Sequence, residues 1–376
     1  MFHLGSSAGY AIDSLLASFV QMAEVLTGGR ENIHVSFTRL EEDYINETLH
    51  GLSKIIEFDP SSNDASQKEF IKNYVRKNGI DMVLGFDQPV WQPTYRHLRK
   101  AGVRKIVSYL GAPMSDLNKG VKLMLKKLEV WATPGSPDHY IFESMAMAKT
   151  AYQGRGIPKH LVSVVYMGVN TTKFTPSEEE TFYAHDAFGI PRSRKIIYYS
   201  GHMEERKGVA VLVKAAKHLY ESHGHRDYHF LILGNQDGQE QRYIELLDES
   251  RARNHVTFGG YRKDISEILP SCSIGVIAST GWDSFTVSSL EIAACGLPLI
   301  VSSLQGLVET IEEGETGISF QPGNHEALAG HILTLLNNHE TRQLMGRNAR
   351  RRILAGFSKD MQIANMVDVM KKVLIT

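Results

Sequence analysis

Short apolar runs alternate with longer stretches whose apolar positions recur at helical spacing, the pattern of doubly wound α/β units with parallel sheets. Strands are predicted at 2–4, 32–38, 54–58, 81–86, 103–110, 140–144 and 161–166, and again at 195–200, 228–234, 256–259, 273–278 and 299–301. Helices are predicted at 12–26, 65–78, 119–131, around Met145, Met147 and Tyr152, and at 209–220, 287–295, 326–337, 341–354 and 361–374. Gly296 and Pro298 stop the 287–295 helix, glycine just past its end and proline soon after. Residues 176–181, with three consecutive glutamates, read as a linker. The chain therefore divides into 1–178, 179–357 and a final helical segment, 358–376.

One helix carries two meanings. Residues 119–131, KGVKLMLKKLEVW, set Lys119, Lys122, Lys126 and Lys127 beside Val121, Leu125, Leu128 and Trp131. A solvated basic face over a core stripe accounts for the pattern. So does a helix lying on an anionic membrane surface or holding a lipid-linked acceptor.

Composition narrows the class. The 376 residues suffice for two domains, and 42% hydrophobic with 22% charged residues is the balance of a globular protein. A net charge of −1 argues against a globally basic nucleic-acid binder. Cys272 and Cys295 both sit in apolar contexts, as buried thiols of a reducing compartment would. With no signal-peptide pattern at the start and no long apolar span, the expected location is cytoplasmic, with peripheral membrane contact through 119–131 as the variant.

Candidate chemistry gathers at strand ends. Gly5-Ser6-Ser7-Ala8-Gly9 follows the first strand, where glycines let a phosphate or sugar approach the backbone; a plain tight turn explains it equally. Asp87 ends another strand, either as a ligand contact or as a cap. After 195–200 comes Gly201-His202-Met203-Glu204-Glu205-Arg206-Lys207-Gly208 at a helix start, a plausible diphosphate clamp or an ordinary exposed turn. The richest stretch is 279–303, STGWDSFTVSSLEIAACGLPLIVSS. It places Asp283 before a helix and Glu291 about a turn inside it. Carboxylates accept hydrogen bonds from sugar hydroxyls, and helix-start amides attract phosphate oxygens.

This stretch resembles the signature of retaining glycosyltransferases of the GT-B fold, glycosyltransferase family 4 in particular. Phe285, Glu291, Ala294, Gly296 and Pro298 fit that pattern, while Asp283 stands for its first Glu and Thr286 for its glycine. Lys207 matches the family's Lys-Gly, with His202 in place of an Arg. Histidine is charged only below about pH 6.5, so either the clamp is weaker or Arg206 substitutes. Residues 168–174 resemble the segment leading out of the first domain, and Glu313-Gly314-Glu315-Thr316-Gly317 a hairpin near the end of the second. Leu110 stands where many relatives carry a histidine, so the first domain offers no catalytic His.

The resemblance implies two Rossmann-like domains facing a cleft, with a C-terminal helix crossing back to the first. It implies metal-independent, retaining transfer of a hexose-type sugar from a UDP- or GDP-type donor, with no other cofactor, to an acceptor hydroxyl on a glycan, lipid-linked glycan or small molecule. Lys207, Asp283 and Glu291 would be catalytic. Gly9, His202, Arg206, Arg262, Ser284, Phe285, Thr286 and Val287 would join them in binding the donor. Arg262 either stacks on the base or is a surface arginine. Two rivals stand beside this reading: a nucleotide-sugar hydrolase or epimerase of the same fold, and a degenerate member that binds nucleotide sugar or glycan as a scaffold.

Overall fold

The computed structural model describes all residues except 7–9, 41–46, 50, 51, 53, 134 and 376. Thirteen strands are seen among the described residues: β1 Phe2–Ser6, β2 Val35–Arg39, β3 Ile55–Glu57, β4 Met82–Phe86, β5 Lys105–Leu110, β6 His139–Phe142, β7 Val162–Val164, β8 Lys195–Ser200, β9 Tyr228–Leu233, β10 Val256–Phe258, β11 Ile274–Ile277, β12 Leu299–Ser302 and β13 Gly317–Phe320. The helices are α1 Tyr10–Thr27, α2 Ala65–Asn78, α3 Tyr95–Ala101, α4 Gly120–Trp131, α5 Met145–Lys149, α6 Tyr183–Phe188, α7 Val209–Glu221, α8 Gln241–Ile244, α9 Ile265–Ile268, α10 Val287–Ala294, α11 His325–Asn337, α12 His339–Gly356 and α13 Lys359–Ile375.

The chain folds into two compact units, one of residues 1–166 with 360–376 and the other of 167–359. The first holds a seven-stranded sheet in the order β3-β2-β1-β4-β5-β6-β7, the second a six-stranded sheet in the order β10-β9-β8-β11-β12-β13. Neighbouring strands run parallel in both. Helices cover both faces of such sheets, so their strands are buried throughout: every residue of β9, β11 and β12 is buried. In the second unit α7 and α11 close one face, with Leu212, Leu219, Leu328 and Ile332 packed over Ile197, Phe230 and Val276. Ordinary caps set the helix ends. Asp64 accepts from the Ser66 amide to start α2, and Gly79 ends it in the left-handed region.

Each sheet winds outward from its first strand in one direction and resumes from its fourth in the other. The reversals fall between β1 and β4 and between β8 and β11. In open α/β sheets ligands bind outside the carboxyl ends of the strands at that reversal.

Several expectations need correction. The boundary falls after Tyr166 and not at 178, and 176–181 lies inside the second unit. The reason is a set of backbone contacts: Arg350 donates to the carbonyls of Thr171, Phe174 and Ala294, and Val169 pairs with Ser358. The second boundary falls after Lys359, so nearly all of α13 belongs to the first unit, where Ser18 Oγ donates to Gln362 Oε1 at 3.3 Å. Residues 317–320 are a strand parallel to β12. In α4 no residue is buried, which overturns the reading of its apolar positions as a core stripe. Cys272 and Cys295 are buried free thiols, as expected.

Candidate functional site

At the reversal of the second sheet, the loop leaving β8 ends in a 3-10 turn over Glu205–Lys207, followed by Gly208 at φ 73°. A Cβ on Gly208 would overlap the Ala278 carbonyl at the end of β11, so only glycine lets the two loops approach this closely. The loops are then stitched together: the amides of Thr280 and Gly281 donate to the Arg206 carbonyl, and Arg206 Nη1 donates to the Trp282 carbonyl.

This approach brings together two residues far apart in sequence. Lys207 Nζ donates to Asp283 Oδ1 at 3.0 Å and Oδ2 at 2.8 Å, with side chains only 17% and 6% exposed. Asp283 also accepts from Ser279 Oγ at 2.6 Å and from the Ser284 amide at 3.0 Å. A shielded pair in which both groups keep extra hydrogen bonds holds an ammonium in one place.

The helix that follows is left open at its start. Thr286 occupies the N-cap of α10, but its hydroxyl donates to Ser289 Oγ and does not cap the first-turn amides. Uncapped amides at a helix N-terminus carry partial positive charge and bind anionic oxygens. Beside them, the buried Ser284 Oγ has no hydrogen-bond partner among the described residues. The loop–helix junction thus presents a fixed cation, free N–H donors and an unsatisfied hydroxyl.

The other predicted residues divide. Glu291 is buried one turn inside α10. Burial pushes the Cys295 thiol up to about 12, and the Glu291 charge adds to it, so this thiol is inert at neutral pH. Phe285 is buried and stacks on Phe357 with centroids 5.3 Å apart, which anchors the loop and leaves only its backbone for a ligand. Val287 opens α10. His202 is exposed, and its carbonyl accepts from Tyr199 Oη. Arg206 is held by Glu204 at 2.7 Å as well as by Trp282. Arg262 is gripped by Asp264 through two hydrogen bonds and lies over the Phe188 ring, so its guanidinium is already engaged. Gly9 lies outside the described residues. The sequence did not reveal Ser279, whose role exists only because the loop returns its hydroxyl to Asp283.

The carboxyl edge of the first sheet holds a different group. Asp87, at φ 51°, accepts from the Gly111 amide at 3.0 Å through Oδ1. Glu143, just past β6, is 9% exposed. Burial first, then the Asp87 charge, pushes its carboxyl up to about 8. Burial also raises Asp87, against the opposing effect of the Gly111 and Ala112 amides. Glu143 has no motif around it, and its environment is entirely tertiary.

Two parallel sheets in this strand order, each with side chains gathered at its reversal, define the GT-B architecture. Solved structures agree over essentially the whole chain. A glycosyltransferase from Rickettsia africae superposes with a TM-score of 0.80 at 19% identity, covering 99% of this chain and 98% of its own. HepE of Anabaena in complex with UDP superposes at 0.79 and 18%, covering 99% of both. Residues 183–352 match the model of the family described as Glycosyl transferases group 1. Among curated proteins, an uncharacterized glycosyltransferase of Methanocaldococcus jannaschii is 28% identical over 219 residues, 57% of this chain and 55% of its own. D-inositol 3-phosphate glycosyltransferase of Corynebacterium glutamicum is 27% identical over 193 residues, 50% of this chain and 46% of its own. The chain thus spans about half the length of the curated relatives it matches. Among the described residues no helix is long and apolar enough to cross a membrane.

Proposed function

We propose that the protein is a retaining, metal-independent glycosyltransferase that moves a hexose-type sugar from a nucleotide-diphosphate donor to an acceptor hydroxyl. The observation that carries this reading is the Lys207 ammonium, fixed by Asp283 at the sheet reversal beside the uncapped start of α10. A preorganised cation facing developing negative charge stabilises a leaving diphosphate without reorganisation at the moment of reaction. The amides from Phe285 to Val287 add hydrogen bonds to phosphate or sugar oxygens, Glu291 accepts from the ribose hydroxyls, and Asp283 faces the sugar while orienting Lys207. As the bond from the anomeric carbon to the diphosphate oxygen breaks, that oxygen takes the proton of the acceptor hydroxyl on the same face. The new glycosidic bond then keeps the configuration. The UDP held by HepE favours uridine for the donor base.

The test is product formation from UDP-, GDP- and ADP-hexoses with a panel of acceptors, with and without a chelator. Expected are transfer insensitive to the chelator, an α-configured product from an α-linked donor, and a loss of roughly 100- to 1000-fold in kcat for Lys207→Ala. Inverted product, chelator-abolished transfer, or an unimpaired Lys207→Ala variant would each overturn its part of the reading. Release of free sugar without acceptor would assign a hydrolase, and nucleotide binding without turnover a scaffold.

A further inference from the structure

Helix α4 in the first unit turns an apolar face to solvent. None of its residues is buried. Val121 is 68% exposed, Met124 54%, Leu125 58%, Leu128 52% and Trp131 85%, and Leu117, just before the helix, is 57% exposed. The half-buried positions are Leu123, Lys126 and Val130. At about 100° per residue these two sets lie on opposite sides of the helix. The helix therefore rests on the protein through Leu123, Lys126 and Val130, and turns its wider apolar stripe outward.

That orientation is built in. Asn118 Nδ2 donates to the Gly154 carbonyl at 2.7 Å, and its amide donates to the Gln153 carbonyl at 2.9 Å, which fixes the start of α4. Near its end, Gly156 at φ 87° packs against the backbone of Lys126 and Lys127, where a Cβ would press on the Lys127 amide. Arg155 and Lys126 both pair with Glu129 at 2.8 and 3.0 Å. The stripe is held outward by backbone contacts and ion pairs, so no rearrangement is required to present it.

Charge selects the occupant. Lys122 and Lys127, both exposed, flank the stripe on its two sides, and the single acid of the segment, Glu129, is already paired with Lys126 and Arg155. Beyond Trp131, Lys127 and Lys159 border an apolar-walled cavity of about 460 Å³ with Tyr152, Ile157 and Pro158. A protein partner of matching shape would have to bury several lysines opposite acids. A bilayer with anionic headgroups meets both demands: acyl chains take the stripe, and the lysine stems lie along it with their ammoniums among phosphates.

We propose that α4 is a membrane-docking surface, seated in the headgroup–acyl boundary of an anionic bilayer. It holds the first unit at a lipid surface independently of the chemistry assigned to the second.

The full chain mixed with vesicles of phosphatidylglycerol and phosphatidylcholine should co-sediment, with a blue shift of tryptophan emission that is absent in Trp131→Phe. Vesicles of phosphatidylcholine alone should bind at least tenfold more weakly, and raising the salt should release the protein. Lys122→Ala with Lys127→Ala should weaken binding about thirtyfold. Leu125→Glu with Leu128→Glu should abolish it while leaving the melting temperature unchanged, because both side chains already stand in solvent. Equal binding to both vesicle types, no binding to either, or a concentration-dependent dimer in solution dispersed by the Leu125→Glu/Leu128→Glu variant would overturn the proposal, the last in favour of a second copy on this face.

Discussion

The carboxyl edges of the two sheets share a strand order and treat charge in opposite ways. At the second, an ammonium and a carboxylate meet in a shielded pair, and the carboxylate collects two further donors. At the first, the Asp87 charge acts on the buried Glu143 carboxyl, and burial keeps that carboxyl protonated into the neutral range. Topology alone thus supplies a place for a ligand, and the residues at that place decide what it accepts. A paired lysine next to open amides suits a diphosphate. A protonated carboxyl near a second carboxyl can both donate and accept, as a polyhydroxylated molecule requires.

The contrast can be broken at either edge. The largest effect is expected from Glu143→Gln. The folded protein keeps a proton that the unfolded chain releases near 4.5, so wild-type stability falls as pH rises from about 4.5 to about 8. The variant lacks that titration. Urea unfolding should show it matching the wild type near pH 5 and exceeding it at pH 9 by on the order of 4 kcal/mol. Parallel pH profiles for the two proteins would show that Glu143 ionises normally.

Asp283→Ala comes next. It leaves the Lys207 ammonium shielded and unpaired, and a loss of about 3 kcal/mol in unfolding free energy is expected. Replacing both partners by Met and Leu should recover most of it, and no recovery would mean that the hydrogen bonds to Asp283, and not the charge pair, set the cost.

Gly208→Ala should cost roughly 2 kcal/mol, from its positive φ and from the overlap with the Ala278 carbonyl. It should also lower donor affinity by displacing Lys207, whereas a thermal shift without loss of affinity would separate the turn from the site. Ser279→Ala removes one hydrogen bond from Asp283 and should cost about 1 kcal/mol. An unchanged melting temperature would show that bond to be incidental.

Much of the fold was legible because parallel sheets write their strands as apolar runs and their helices as periodic stripes. The 65–78 helix and the 195–200 strand coincide with α2 and β8. Failures trace to tertiary causes. The domain boundary was displaced by Arg350, whose guanidinium binds carbonyls far away in sequence. The stripe of α4 has the same period whether it faces a core or solvent, so only the contacts of Leu123, Lys126 and Val130 settle its direction. At the candidate site, sequence spacing marked Lys207 and Asp283 separately, but nothing local records that Gly208 brings one to the other. Glu143 was invisible because one glutamate after a strand carries no pattern.

The central claim is that the Lys207–Asp283 edge with Glu291 holds a nucleotide-diphosphate sugar. Its most direct test is a thermal-shift titration of the full chain with UDP, GDP, ADP and their hexose conjugates, repeated with Glu291→Ala. At 100 times its Kd a ligand stabilises the native state by about 2.7 kcal/mol, a readable shift. Stabilisation by one nucleotide family, lost in Glu291→Ala, is the predicted result. A flat response to every nucleotide, or an equal response in the variant, would contradict it.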